Sequence, residues 1–461
     1  MIGSGGTVDL HAIVDQGLGN SAYLVDLGDG RALAVDAARD LRALHTCAQQ
    51  HGLQVAFAAD THLHADFLSG VRDLAAGGAR VLASAAGGRQ FPHEGLREGD
   101  QVDLGGLVLR ALATPGHTPE HLSYLLLDGS VPLGVFTGGS LIVGAAARTD
   151  LFGPARTEPL GRQQWHSLQR LAQLPDATAV WPTHGAGSFC AAPPGAARTS
   201  TIGREKQTNP LLNAGSEQAF VDLLMAGLGA FPPYFLRLGE ANRLGPHVLT
   251  AAPALPALDP QEVARLGDAG ALLVDVRPVE QYAASHVAGA LSIPLRGVFA
   301  TWLGWAVAAD RPVVIVRDGD QDQDEIVWQA AKIGYDQLVG ELTGGMASWT
   351  TSGRASVSTQ LLGADELDGR AVVDVRQRVE FDAGHVRHAS NVELGRLVAG
   401  LNPDEQRALV ADTTAVMCGH GERAMTAVSL LERTGARDLA VVVGGPEQWA
   451  AHSGQPLEVG P

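Results

Sequence analysis

Residues 272–290 read L-L-V-D-V-R-P-V-E-Q-Y-A-A-S-H-V-A-G-A, and the pattern returns at 371–389 as A-V-V-D-V-R-Q-R-V-E-F-D-A-G-H-V-R-H-A. Asp275 and Asp374 are 99 positions apart, and G-G-M-A-S-W from Gly344 returns as G-G-P-E-Q-W from Gly444 at an offset of 100. Self-similarity at a near-fixed spacing means two copies of one structural unit stand in tandem. In each copy, short apolar β-branched runs (271–276 and 313–316; 371–375 and 414–417) alternate with helix-period stretches. That pattern predicts a parallel sheet with crossover helices. A polar linker at 351–359 separates the copies, and an Ala/Pro-rich one at 247–260 precedes them.

Upstream, the first 245 residues do not repeat. Residues 20–36 read as two strands joined by an Asp-Gly turn, and strand and turn signals continue through 107–142. Helical stretches are predicted at 41–51 and 162–174. The fold class is therefore α/β: a layered sandwich over residues 1–248, then α/β units over 255–355 and 359–461.

Composition narrows the function. A chain of 461 residues with 45% hydrophobic and 18% charged residues has material for several buried cores. A net charge of −17 argues against nucleic acid or an anionic membrane surface as partner and points to a small molecule. The N-terminus shows no export signal. Residues 129–147 and 177–197 lack charge but are broken by proline and glycine, so they read as strands and turns instead of membrane spans. Three cysteines, at 47, 190 and 418, are too few for a disulfide framework, and a cytoplasmic location is expected. The oligomeric state, a homo-oligomer included, is left open.

The segment T-H-L-H-A-D-F (61–67) leaves an apolar run, A-T-P-G-H-T-P-E-H places His117 after a Pro-Gly turn, and W-P-T-H-G places His184 after another strand. Imidazoles two residues apart, with Asp66 two further on, can converge on one metal ion from such a loop. A lone histidine is usually a surface or satisfied core residue. The combination here, with Asp36 and F-T-G-G-S at 136–140, resembles the metallo-β-lactamase fold over about residues 8 to 245. More narrowly it resembles the glyoxalase II and persulfide dioxygenase branch.

The resemblance implies an αββα sandwich and metal ligands among His62, His64, Asp66, His117 and His184. Two departures stand out: Phe67 occupies the last position of H-x-H-x-D-H, and Gly139 stands where the T-G-D aspartate belongs. A damaged binuclear site follows, with one three-histidine site (His62, His64, His117) and with Asp66 and His184 as remnants of the other. It would hold one divalent metal ion, Fe(II), with zinc as the alternative. In the persulfide dioxygenase branch the iron is held by two histidines and that aspartate, so Asp66, a water or His64 would have to substitute. Restoring the carboxylate by Gly139→Asp is expected to increase metal retention.

Cys418 opens C-G-H-G-E-R-A between an apolar run and a helical stretch. A tight strand-to-helix loop turns backbone N–H groups inward, and the helix N-terminus adds partial positive charge, so a thiolate or an anionic persulfide is stabilised there. With D-V-R upstream and G-G-x-x-x-W downstream, C-x-x-G-x-R resembles the rhodanese sulfurtransferases over 359–461. The resemblance implies Cys418 as nucleophile and Gly419, His420, Gly421, Glu422 and Arg423 as the donor-binding loop. In the first copy Arg317 replaces the cysteine and an acidic loop, 318–325, follows, so that domain cannot form a persulfide. Cys47 and Cys190 lack such a cradle and read as structural.

Together the resemblances imply a sulfur-metabolism enzyme that moves sulfane sulfur through a Cys418 persulfide, coupled to a persulfide-dioxygenase-like metal domain. Its partner would be a thiol persulfide or thiosulfate. Two alternatives stand beside it: a glyoxalase II-like zinc thioester hydrolase with regulatory rhodanese domains, and a non-catalytic front scaffold with an active rhodanese.

Overall fold

Along the strand Asn20–Asp26, Tyr23 and Val25 face one buried cluster while Leu24 faces another. Leu33 and Val35 alternate in the same way with Ala32 and Ala34 on the strand Arg31–Val35. A strand with both faces apolar must be covered on both sides. One face packs on a second sheet, whose strand Leu122–Asp128 offers Leu122, Tyr124 and Leu126. The other face is covered by the helices Arg42–Gln50 and Val71–Ala76 through Leu44, Ala48, Val71 and Leu74. The outer face of the second sheet is covered likewise by Pro154–Leu171 and Glu217–Ala226. This is an αββα sandwich of two six-stranded mixed sheets.

The computed structural model describes residues 8–190, 195, 197–367, 369–400 and 414–460. Residues 1–7, on which the expectation about an export signal rests, lie outside them. The chain divides into two compact units, and the first takes in Trp328–Gly334 beside the residues up to Ala252. There the Lys332 ammonium pairs with Asp15 at 2.6 Å, and the Leu68 amide donates to the Lys332 carbonyl. The predicted helix at 162–174 begins earlier, at Pro154, a residue suited to a first helical turn.

The second unit holds two parallel five-stranded sheets of identical order. The first runs Ala257–Leu258, Leu338–Leu342, Val313–Val316, Leu272–Asp275, Leu291–Ser292, and the second Gln360–Gly363, Leu439–Val443, Thr414–Met417, Ala371–Asp374, Ser390–Asn391. The repeated D-V-R is a structural tie. Arg277 pairs with Asp275 and reaches the Ser285 carbonyl, as Arg376 pairs with Asp374 and reaches the Gly384 carbonyl, with both ion pairs at 2.7 Å. Among the described residues, no helix is long and apolar enough to cross a membrane.

Candidate active sites

In the first unit the strands Gln54–Ala59, Leu107–Ala113, Val131–Gly138 and Ala179–Pro182 end in the loops that carry His62, His117, Gly139 and His184. Ligand atoms of His62, His117 and His184 lie within 4.8 Å of one another, and all three side chains are buried. Their outer nitrogens are each engaged. His117 Nδ1 faces the Arg148 carbonyl at 2.7 Å and must donate to it. Thr61 Oγ1 donates to Asp36 and so accepts from His62 Nδ1 at 2.8 Å. His184 Nδ1 faces two acceptors, Asn20 Oδ1 at 3.1 Å and Asp66 Oδ2 at 3.3 Å. His62 and His117 therefore turn Nε2 lone pairs inward and His184 turns its Nε2 toward them, the arrangement in which outer-shell acceptors fix metal-binding imidazoles.

His62 Nε2 and His184 Nε2 stand 3.4 Å apart, and His117 Nε2 is buried with no hydrogen-bond partner. Converging lone pairs shut away from water call for a shared cation, so these residues fit a metal ion. Burial, and then repulsion from the neighbouring imidazoles, pushes His62 well below the ordinary histidine value. Burial likewise pushes His117 down to about 3. Burial opposes charge on His184 too, yet Cys190 and Asp66 hold it well above its ordinary value.

The trio that converges differs from the one expected. His64 turns away: its Nε2 lies 3.1 Å from Asp36 Oδ1, and its ring stacks on Phe67 at 4.2 Å. Asp36, at a left-handed φ of 52°, is held by the amide and hydroxyl of Thr61 and by the Thr183 hydroxyl. Asp60 nearby is bound by Arg89 at 2.9 Å and Ser69 at 2.8 Å. His64 Nε2, Asp36 and Asp60 thus belong to one buried network, in which His64 Nδ1 has no hydrogen-bond partner.

Gly139 also reads differently in three dimensions. A Cβ there would lie 2.3 Å from the His117 ring, so the imidazole occupies the space a larger residue would need. The expectation that Gly139→Asp would increase metal retention does not survive that contact. His121, which drew no role from sequence, stacks on His62 at 5.0 Å and accepts the Gly139 amide at 3.1 Å. It also borders a cavity of about 380 Å³, with Glu98, Pro115 and Glu120. Cys190, read as structural, is buried within 4.8 Å of ligand atoms on Asp66 and His184. Only its position six residues after His184 hinted at this.

In the second unit Cys418 follows the strand Thr414–Met417 and precedes the helix Glu422–Arg433. Its Sγ accepts the Gly421 N–H at 3.1 Å, a turn made by Gly421 at a φ of 90°. Gly419 and Arg423 are half-buried around the sulfur, Glu422 is tied to Arg296, and His420 is exposed. Arg423 makes a two-pronged pair with Glu380, at 2.6 and 2.8 Å. Burial works against charge on Arg423, but that pair and the nearby Cys418 sulfur favour it.

The first copy lacks any counterpart. Arg317 is bound by Glu341 and donates to the Asp318 and Gln321 carbonyls at 3.1 and 3.0 Å, so its side chain closes the loop where a sulfur would sit.

An αββα sandwich with a histidine cluster at its strand ends, followed by two D-V-R sheets, defines the class, and comparison with known proteins agrees. The Rhodanese-like domain family matches residues 259–352 and 358–452. The front of the chain is 29% identical over 177 residues to the mitochondrial persulfide dioxygenase ETHE1 of Homo sapiens, covering 38% of this chain and 62% of that protein. It is 30% identical over 242 residues to the hydroxyacylglutathione hydrolase of Rhodopseudomonas palustris (strain BisB18), covering 52% of this chain and 86% of that protein. A solved metallo-beta-lactamase structure from Staphylococcus aureus subsp. aureus COL superimposes with a TM-score of 0.65 at 31% identity, over 73% of this chain and 99% of that one. The chain belongs to the metallo-β-lactamase-fold proteins of the ETHE1 and glyoxalase II kind, and carries two rhodanese domains behind that fold. It spans about three fifths of the length of the first curated relatives it matches. The relatives and the buried histidine triad together suggest an enzyme with a metal site.

Proposed function

We propose that this chain is a sulfane-sulfur enzyme that moves sulfur through Cys418 and processes a low-molecular-weight thiol persulfide at the His62–His117–His184 cluster. The observation that carries the transfer half is the Cys418 sulfur, 3.1 Å from the Gly421 N–H and at the N-terminus of the helix Glu422–Arg433. Partial positive charge there favours sulfur in its anionic form, before and after it gains a second sulfur.

With thiosulfate as donor, the Cys418 thiolate attacks the outer sulfur. A new S–S bond forms, the old one breaks, and sulfite leaves with the electron pair. An acceptor thiolate then attacks the outer sulfur of the Cys418 persulfide and releases the Cys418 thiolate. Gly419, His420, Gly421 and Glu422 form the donor's loop, and Arg423, oriented by Glu380, balances the donor's negative charge.

In the front domain His62, His117 and His184 would hold one Fe(II) ion, with Asn20 and Asp66 orienting His184 and the Arg148 carbonyl orienting His117. Iron with open positions would supply redox chemistry toward oxygen and a persulfide. The protein's share is to fix the imidazole tautomers and to keep water from the cluster. The thioester-hydrolase alternative needs a second ion, and the engagement of His64 with Asp36 and its stacking on Phe67 weigh against one.

The test is mass spectrometry of the full chain after donor treatment. One added sulfur atom is expected on the peptide containing Cys418, with transfer lost in Cys418→Ser. An adduct on Cys190, with Cys418→Ser still active, would overturn the assignment. Iron content after anaerobic purification, with oxygen uptake on adding a thiol persulfide, tests the front domain; thioester hydrolysis without oxygen uptake would replace that half of the reading.

A further inference from the structure

A second group of metal-ligating side chains lies on the other side of the first sheet. His11 stands on the strand Leu10–Asp15, the sheet's first strand, paired with Asn20–Asp26. Cys47 lies in the helix Arg42–Gln50, and His51 follows it by four residues, one turn further on, as the residue that ends the helix. One ligand atom each of His11, Cys47 and His51 lies within 4.8 Å of the others, and the two imidazoles are in contact with ring centres 3.9 Å apart.

Cys47 Sγ lies 3.9 Å from His51 Nδ1. His51 Nδ1 donates to the Cys47 carbonyl at 2.9 Å, which leaves its Nε2 lone pair free. His11 Nε2 is shut off from water and makes no hydrogen bond, and the Asp9 carboxylate lies 3.5 Å away. Unlike the buried cluster, this one is reachable: His51 is exposed, and His11 and Cys47 are half-buried.

We propose that His11, Cys47 and His51, with Asp9 as the fourth donor, form a zinc site distinct from the buried histidine cluster. One thiolate, two imidazoles and one carboxylate are a borderline-soft set suited to a tetrahedral zinc ion and poorly suited to magnesium or calcium. The end of a helix carries partial negative charge, which favours a cation. On binding, Cys47 loses its proton to solvent and becomes a thiolate ligand. The ion would pin the edge strand to the helix that covers it, so this part of the fold should tighten with zinc.

The test uses the full chain, stripped of metal and titrated with Co(II) as a spectroscopic probe for zinc. A thiolate-to-cobalt charge-transfer band is expected, displaced by zinc, absent in Cys47→Ser, and retained in Cys190→Ser and Cys418→Ser. His51→Ala, which keeps the thiol and alters an exposed residue, should weaken binding about tenfold or more. Zinc should raise the melting temperature of the wild type more than that of Cys47→Ser. The proposal falls if no band forms, if the band survives Cys47→Ser or vanishes in Cys190→Ser, or if His51→Ala binds cobalt unchanged. Sulfur transfer by Cys418 is untouched by any of these outcomes.

Discussion

His62 and His184 face each other with Nε2 atoms 3.4 Å apart, while their Nδ1 atoms donate to Thr61 on one side and to Asn20 and Asp66 on the other. A positive charge between the two nitrogens holds them that close, either a metal ion or the proton that Cys190 and Asp66 favour on His184. His184→Ala should therefore lower tightly bound metal about tenfold or more. His64→Asn should keep most of the metal and lose stability instead, because His64 serves Asp36. Metal analysis beside thermal unfolding separates the two; metal loss in His64→Asn with retention in His184→Ala would reverse the assignment.

Gly139 is held against His117 by more than its own small size. The His117 ring is anchored to the Arg148 carbonyl, and Gln164 donates to the Gly139 carbonyl at 3.2 Å. Gly139→Ala and Gly139→Asp should both displace the ring and lower metal content, with an overpacking cost of about 1–3 kcal/mol. Increased metal in Gly139→Asp would show that the ring moves aside.

The Glu380–Arg423 pair should make stability pH-dependent. Burial works to raise the Glu380 carboxyl, but Arg423 holds it below the ordinary value. A carboxyl depressed in the folded state contributes stability above its unfolded pKa of about 4.3, and that contribution is lost as pH falls through the lower folded value. Glu380→Gln should accordingly be less stable than wild type at neutral pH and approach it in acid, as read by denaturant melts at several pH values. A constant difference across pH would remove the ion pair as the cause.

Introducing a thiol should not revive the first rhodanese copy. In a Cys418→Ser background, Arg317→Cys should show no sulfur transfer from thiosulfate to cyanide, since the acidic side chains after position 317 repel the donor. Glu341 would also lose its guanidinium partner, costing about 1–3 kcal/mol. Measurable transfer would overturn this account of the loop.

The doubling of D-V-R and G-G-x-x-x-W, the two strands around an Asp-Gly turn in residues 20–36, and Cys418 between a strand and a helix were all legible in the sequence. Each is a local pattern whose meaning follows from period, turn chemistry or position along the chain. The arginines of D-V-R show the limit: sequence marks them as recurring, but only the pairing with Asp275 and Asp374 identifies a structural tie.

Which histidines meet was decided in three dimensions. His62 and His64 are two residues apart in a loop, yet one turns to His117 and His184 and the other to Asp36, because Phe67 stacks on the second ring and Thr61 anchors the first. The same holds for His11 and His51, forty positions apart in sequence and in ring contact in the fold. Residue types and spacing determined which side chains were able to bind metal or carry sulfur. Strand register and buried hydrogen-bond acceptors, which no local pattern encodes, decided which lone pairs point at one another.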